Sequence, residues 1–289
     1  IDPRTYNMSV DALSDKLIQA EKSGKLPKIV VPVHFAGQPC DMPAIHKLSK
    51  RYGFKIIEDA SHAIGASYNQ IKVGSCTHSD ITVFSFHPVK IITTAEGGVA
   101  LTNDKNIADK IYRLRTHGIT SDKTIMKQRS EDEIWNYQQI DLGFNYRMND
   151  IQAALGLNQI KRLDEYVKRR RQIAKYYDTE FKNLPLLTPW QAPNVYSSYH
   201  LYPVLIEVNS NCKTQRQVYD ELKKNDIGVN LHYTPVHRHP YYEHLGFKKN
   251  DFPQAENFHR KIISVPMYAM LQDEDQKYIA ETLRKVMNP

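Results

Sequence analysis

Residues Ser79–Asn103 read SDITVFSFHPVKIITTAEGGVALTN. Two apolar runs, Ser79 to Phe86 and Gly97 to Asn103, flank a short excursion that carries Lys90. Continuous runs of this length, rich in β-branched residues, suit strands buried on both faces. A lysine is ordinarily a solvated surface charge. Just past the end of a buried strand it stands where open α/β sheets bind their ligands. Glu96-Gly97-Gly98 then turns the chain into the next strand, glycine permitting conformations that other residues resist.

Working outward, FKIIEDA (Phe54–Ala60) is a second buried strand, ending at Glu58-Asp59, and PKIVVPVHF (Pro27–Phe35) is a third. Between them DMPAIHKLSKRYG predicts a helix, with Pro43 near its first turn and Gly53 just past its last. Ser9 to Glu21 predicts another helix, with Ser9 as N-cap. Strand, helix and strand at this spacing imply a doubly wound α/β domain with a mostly parallel sheet. Ile1-Asp2 reads as the end of a strand, and the missing initiator methionine predicts a fragment.

Downstream, DKNIADKIYRLRTHG is a helix ending at Gly118, and the polar, aperiodic stretch to Asp141 reads as a long surface loop or a partner contact. A long helix is expected from about Asn149 to the Leu184-Pro185 stop, with Ile151, Ala154, Leu155, Leu157 and Leu163 on its buried side. VNLHYTPV reads as a strand of the last part, among alternating short strands and helices. The division is therefore residues 1–182, the remainder of a large domain with its connecting helix, and 183–289, a small α+β domain.

With 289 residues, 41% hydrophobic and 25% charged, the composition is that of an ordinary globular protein. No apolar run of about 18 residues predicts a membrane span, and no secretory leader is evident, which points to a cytoplasmic protein. Cys40, Cys76 and Cys212 are odd in number and lack CxxC spacing, which suits a reducing compartment and argues against a metal site. The net charge of +7 fits either nucleic acid or phosphorylated small molecules. The densest run, Lys168-Arg169-Arg170-Arg171, lies on a helix, where successive residues fan about 100° apart instead of making one stripe. It reads as a solvated face, and nucleic acid is not expected.

Three polar residues fall at strand ends: Asp59, His62 and Lys90. A lysine among apolar walls tends to lose its proton and becomes a nucleophile able to form a Schiff base. An acidic residue in the same crevice is what pyridoxal phosphate needs beside its ring nitrogen. On these residues alone, a surface charge is the commoner explanation of each position.

The segments EDASHAIGASYNQIKVGS, FSFHPVKIITTAEGGVALTND and LGFNYRMNDIQAALGLNQIKRL occur in this order. Together they resemble the DegT/DnrJ-type sugar-nucleotide aminotransferases, fold-type I enzymes dependent on pyridoxal 5′-phosphate. The resemblance runs almost from end to end. SHAIG, FHPVKIITTAEGG and NLHYTPVHRHPYYEHLGF look most like the branch that aminates C4 of a UDP-4-keto-6-deoxy-HexNAc in pseudaminic acid biosynthesis, with L-glutamate as donor.

The resemblance implies that Lys90 is the Schiff-base lysine and Asp59 the partner of the ring nitrogen. His62 would stand beside the ring hydroxyl, or be a hydrogen-bonded histidine at a helix start. Ser85 would bind the cofactor phosphate, and Asn145 would reach the phosphate in a neighbouring subunit, which implies a homodimer with active sites at its interface. Arg147 would face the substrate diphosphate or make a structural salt bridge. His232 and Tyr233 match positions that touch the sugar nucleotide, although Tyr233, Tyr241 and Tyr242 suit packing equally. The family also carries an N-terminal segment that this chain lacks, with a phosphate-binding turn and a stacking aromatic. A truncated, non-catalytic relative or interaction module is the alternative.

Overall fold

The computed structural model describes residues 1–128, 133–207 and 213–287, and Cys212 lies outside them. Helix α1 (Val10–Lys22) is capped by Ser9, whose side chain accepts the Ala12 N–H. Strand β1 (Ile29–Val30) leads to α2 (Met42–Tyr52), capped by the Asp41 side chain and closed by a left-handed Gly53. Strand β2 (Lys55–Asp59) follows. A hairpin of β3 (Ser67–Tyr68) and β4 (Ile71–Lys72) precedes β5 (Ile81–Ser85), which returns through β6 (Gly98–Leu101). The main sheet has the order β1-β2-β5-β6, with only the last pairing antiparallel. Helix α2 seals one end, burying Ile45 and Tyr52 against Ile56.

Because β2 and β5 are parallel, their carboxyl ends lie at one edge of the sheet, Asp59 opposite Val83. Lys90 comes off the same edge five residues after β5. The expected strand Pro27–Phe35 shrinks to two residues plus a bridge from Val33 to Asp59. Pro32 lacks the N–H that a strand interior needs. Ile1 and Asp2 form no strand; Asp2 instead closes a turn by accepting the Thr5 N–H.

Helix α3 (Lys105–Leu114) is followed by the pair β7 (Ile119–Thr120) and β8 (Gln138–Gln139), so the stretch expected as loop carries a short antiparallel ladder. The long helix is two helices, α4 (Asp150–Ile160) and α5 (Leu163–Glu180), broken at Lys161-Arg162. The expected buried side of α4 is also wrong for this chain. None of its residues is buried, and Ile151 and Leu157 are 83% and 67% exposed. Helix α5 instead buries Val167, Arg170, Ile173, Ala174 and Tyr177. Of the basic run only Lys168 is fully exposed, so its reading as a solvated face fails at Arg170.

The last part is built on β9 (Leu186–Leu187), β11 (Tyr202–Ile206) and β12 (Ile262–Val265), in the antiparallel order β12-β11-β9. Between β9 and β11, β10 (Val195–Tyr196) crosses to pair with the β3 strand. Helices α6 (Gln215–Lys224), α7 (Pro240–His244), α8 (Pro253–His259) and α9 (Asp273–Met287) complete it. Strand β11 is buried throughout, and its core is shared with α5 through stacked Tyr177 and Phe181 against Tyr202. VNLHYTPV is not a strand. Only Asn230 bridges, to Ser264, and His232-Tyr233 is a cis peptide.

Candidate active site at the carboxyl edge of the sheet

Asp59 leaves β2 in a tight turn, its Oδ1 accepting the Ser61 N–H at 3.0 Å. Lys90 is half-buried, and burial pulls its pKa below the ordinary lysine value while the charge of Asp59 opposes that shift. His62, 7% exposed, is pushed down to about 3, chiefly by burial and then by the positive charge of Lys90. Its Nε2 lies 3.4 Å from the Tyr233 hydroxyl. Burial and then Asp59 raise the Tyr233 pKa. His232 binds Ser264 Oγ through Nδ1 at 2.9 Å and is lowered by burial and Lys90. Of the residues expected from the sequence, Asp59, His62, Lys90, His232 and Tyr233 thus converge.

His200 joins them without having been foreseen. Its ring lies 4.3 Å from that of His62, centroid to centroid, and only 4% of it is exposed. Burial, with His62, Arg170 and Lys90 adding to it, holds it far below the ordinary histidine range. Its backbone is pinned from two sides. Arg170 Nη1 donates to the carbonyls of Tyr199 and His200 at 3.1 Å and of Met267 at 2.9 Å. Gly37 packs so closely that an added Cβ would lie 2.7 Å from the Tyr199 nitrogen, at a φ of +102°. The adjacent Ser198 hydroxyl donates to the His62 carbonyl at 3.0 Å. No periodicity marks His200 in SSYHLYPV, because its partners Arg170 and His62 come from other elements of the chain.

Two uncharged buried imidazoles predict acid lability. The unfolded chain takes up protons on both below about pH 6.5, and the fold does not, so stability is present above that pH and lost as pH falls. Each contributes a loss of about 1.4 kcal/mol per pH unit. Urea denaturation between pH 7 and 5 is expected to show a falling midpoint, with the slope roughly halved in His200→Phe.

Ser85 sits half-buried at the end of β5, its Oγ accepting the His87 N–H at 3.4 Å. Asn145 and Arg147 are exposed. Arg147 forms no ion pair among the described residues. It lines a surface cleft of about 730 Å³ with Gly97, Gly98, Tyr112, Arg115 and Tyr146. Tyr241 is 69% exposed. No group of three metal-ligating side chains occurs among the described residues, and no described helix is long and apolar enough to cross a membrane.

The sequence model of the DegT/DnrJ/EryC1/StrS aminotransferase family matches residues 1–284. A UDP-4-amino-4,6-dideoxy-N-acetyl-beta-L-altrosamine transaminase of Campylobacter jejuni is 37% identical over 256 residues, 88% of this chain and 64% of that protein. Helicobacter pylori PseC, an aminotransferase involved in the biosynthesis of pseudoaminic acid, superposes with a TM-score of 0.83 at 32% identity, over 97% of this chain and 71% of PseC. The PLP form of a Streptococcus pneumoniae protein assigned as a sugar aminotransferase superposes with a TM-score of 0.85 at 29% identity, over 99% of this chain and 74% of that one.

The side chains gathered here fit pyridoxal phosphate. A lysine of lowered proton affinity lies within electrostatic reach of a carboxylate, and the buried Nδ1 atoms of His62 and His200 have no partner among the described residues. By its sequence along nearly its whole length, and by a fold that sets Lys90 and Asp59 at one edge of a parallel sheet, the chain belongs to the DegT/DnrJ/EryC1/StrS aminotransferase family.

Proposed function

We propose that this chain carries the site of a pyridoxal phosphate-dependent aminotransferase that moves nitrogen from L-glutamate to C4 of a UDP-4-keto-6-deoxy-HexNAc, in nucleotide-sugar biosynthesis of the pseudaminic acid type. The observation that carries the reading is the half-buried Lys90 within electrostatic reach of Asp59, beside an uncharged His62. The likeness to the Campylobacter transaminase and to PseC supports the sugar and the pathway.

The bound cofactor supplies an electrophilic aldehyde and a ring that takes up an electron pair. Asp59 is the anion that keeps the ring nitrogen protonated. Lys90 Nζ, its proton affinity lowered by burial, removes the proton from the donor's Cα as a general base and later delivers one at C4 of the sugar. His62 stays neutral and adds no second cation beside Lys90. Ser85 Oγ is assigned to the cofactor phosphate, and His232 and Tyr233 to the sugar nucleotide.

Asn145 and Arg147 are assigned to the site of a second copy in a homodimer, Arg147 with its planar fork toward the diphosphate. Support comes from the surface around them. Leu142, Phe144, Tyr146 and Ile151 are 90%, 58%, 73% and 83% exposed, an apolar patch of the kind that marks protein contacts. A cytoplasmic setting suits the free, buried Cys40 and Cys76.

The test is spectroscopic. With pyridoxal phosphate the chain is expected to develop a visible absorption band that bleaches with L-glutamate and returns with the UDP-4-keto sugar. A band that bleaches but does not return would sink the sugar assignment. Absence of any band would sink the assignment of cofactor binding to this chain.

A further inference from the structure

Behind the edge of the sheet lies a polar cluster that no step above uses. Glu58 directly precedes Asp59 and is 5% exposed. Since side chains alternate along a strand, it points to the face opposite Asp59. Its Oε2 accepts from His34 Nε2 at 2.8 Å, and its Oε1 from Thr82 Oγ1 at 3.1 Å and from the Ser79 hydroxyl. These donors come from the segment after β1, from β5 and from the turn before it. His34 is fully buried, and its Nδ1 accepts the Cys40 N–H at 3.1 Å, which leaves the proton on Nε2, toward Glu58. Its backbone N–H donates to the Asp59 carbonyl at 3.0 Å, while the Asp59 N–H donates to Pro32 at 2.9 Å. His34 therefore grips both the main chain of Asp59 and the side chain before it.

Stability does not account for this cluster. Burying a carboxylate costs several kcal/mol, and apolar residues of similar shape often serve as well or better. Fixed geometry does account for it, because every acceptor and donor finds its partner in one arrangement only, the one in which β1, β2 and β5 end together.

We infer that Glu58 and His34 form a positioning device for Asp59, holding its carboxylate at a set separation from Lys90. The inference rests on the pairing of Asp59 with Lys90 in the proposed site. Its test needs no cofactor. Acylation of Lys90 by acetic anhydride, followed by peptide mass spectrometry, reports the fraction of unprotonated amine at each pH. The charge of Asp59 raises the proton affinity of Lys90, so Asp59→Asn is expected to speed labelling of Lys90 and not of an exposed reference such as Lys168.

Thr82→Val changes no formal charge, and His34→Gln removes the ring that binds Glu58. Both are expected to speed Lys90 labelling in the same direction, by about twofold or more in His34→Gln. Thr82→Val keeps the shape of a fully buried side chain and so retains the fold even where His34→Gln does not. In the pyridoxal phosphate-loaded chain, the same variants are expected to shift the pH midpoint of the visible band. Wild-type labelling and midpoint in either folded variant, beside an altered Asp59→Asn, would overturn the inference. An unaltered Asp59→Asn would overturn the Asp59–Lys90 pairing, and the inference with it.

Discussion

Lys90→Ala is expected to lose donor turnover by about 10⁴-fold, the upper end of what a positioned proton-transfer group contributes. The residue is asked to do two things that alanine cannot do: bond to a carbonyl carbon and shuttle a proton. Lys90→Arg is expected to be as inactive, since a guanidinium stays protonated at neutral pH and burial at this site cannot free it. The lowered pKa of Lys90 is a property of its surroundings, burial first and Asp59 in opposition. Stopped-flow absorbance with L-glutamate measures the loss, and borohydride trapping with mass analysis locates the cofactor. A trapped adduct on a lysine other than Lys90 would end the assignment.

Arg170→Met is expected to give the largest loss of stability. Methionine keeps much of the arginine stem's volume, so packing changes little, yet the carbonyls of Tyr199, His200 and Met267 lose their shared donor. Each buried carbonyl left unpaired costs about 1–3 kcal/mol, offset in part by no longer burying a guanidinium, for a net loss of about 3 kcal/mol. For a chain of this size that lowers the melting temperature by roughly 5 °C. Lys168→Met, two residues away and exposed, is expected to change stability by no more than about 0.5 kcal/mol. Because Arg170 also fixes the backbone of His200, Arg170→Met is further expected to loosen the ring that backs His62. Histidine side-chain NMR would show this as a His62 titration midpoint rising from about 3 toward the ordinary value. Equal stability of the two variants would show that the carbonyls find other partners.

What could be read in the sequence follows from local rules. The apolar runs before Asp59 and around Lys90, the capped helix ending at Gly53, and the turn at Gly97-Gly98 each depend on a few consecutive residues and each forms, but the expected burial on both faces does not: β2 and β5 bury alternate residues, and β6 is exposed at three of its four. The alternation of strand and helix then suffices to place Asp59 and Lys90 at one edge, since parallel strands put their carboxyl ends together. Periodicity alone misassigns the apolar side of α4. An apolar stripe identifies a face that seeks cover, but not whether the cover comes from the same chain, and on α4 it does not.

Only the tertiary structure decided the rest. Nothing local distinguishes Arg170 from its neighbours in a basic run, and its burial follows from where β11 and the segment before it lie against α5. His34, Glu58 and His200 are single polar letters in the sequence. They acquire meaning when chain segments far apart close on one another: His34 on Glu58, Gly37 on Tyr199, Ser198 on His62. The sequence by itself determined the strands that end near Asp59 and Lys90, the helix caps and the two residues proposed to carry the chemistry, because periodicity and turn chemistry act over a few residues. The tertiary structure decided which charges are silenced and which side chains gather around that pair, because burial and hydrogen bonding depend on neighbours that the chain brings from afar.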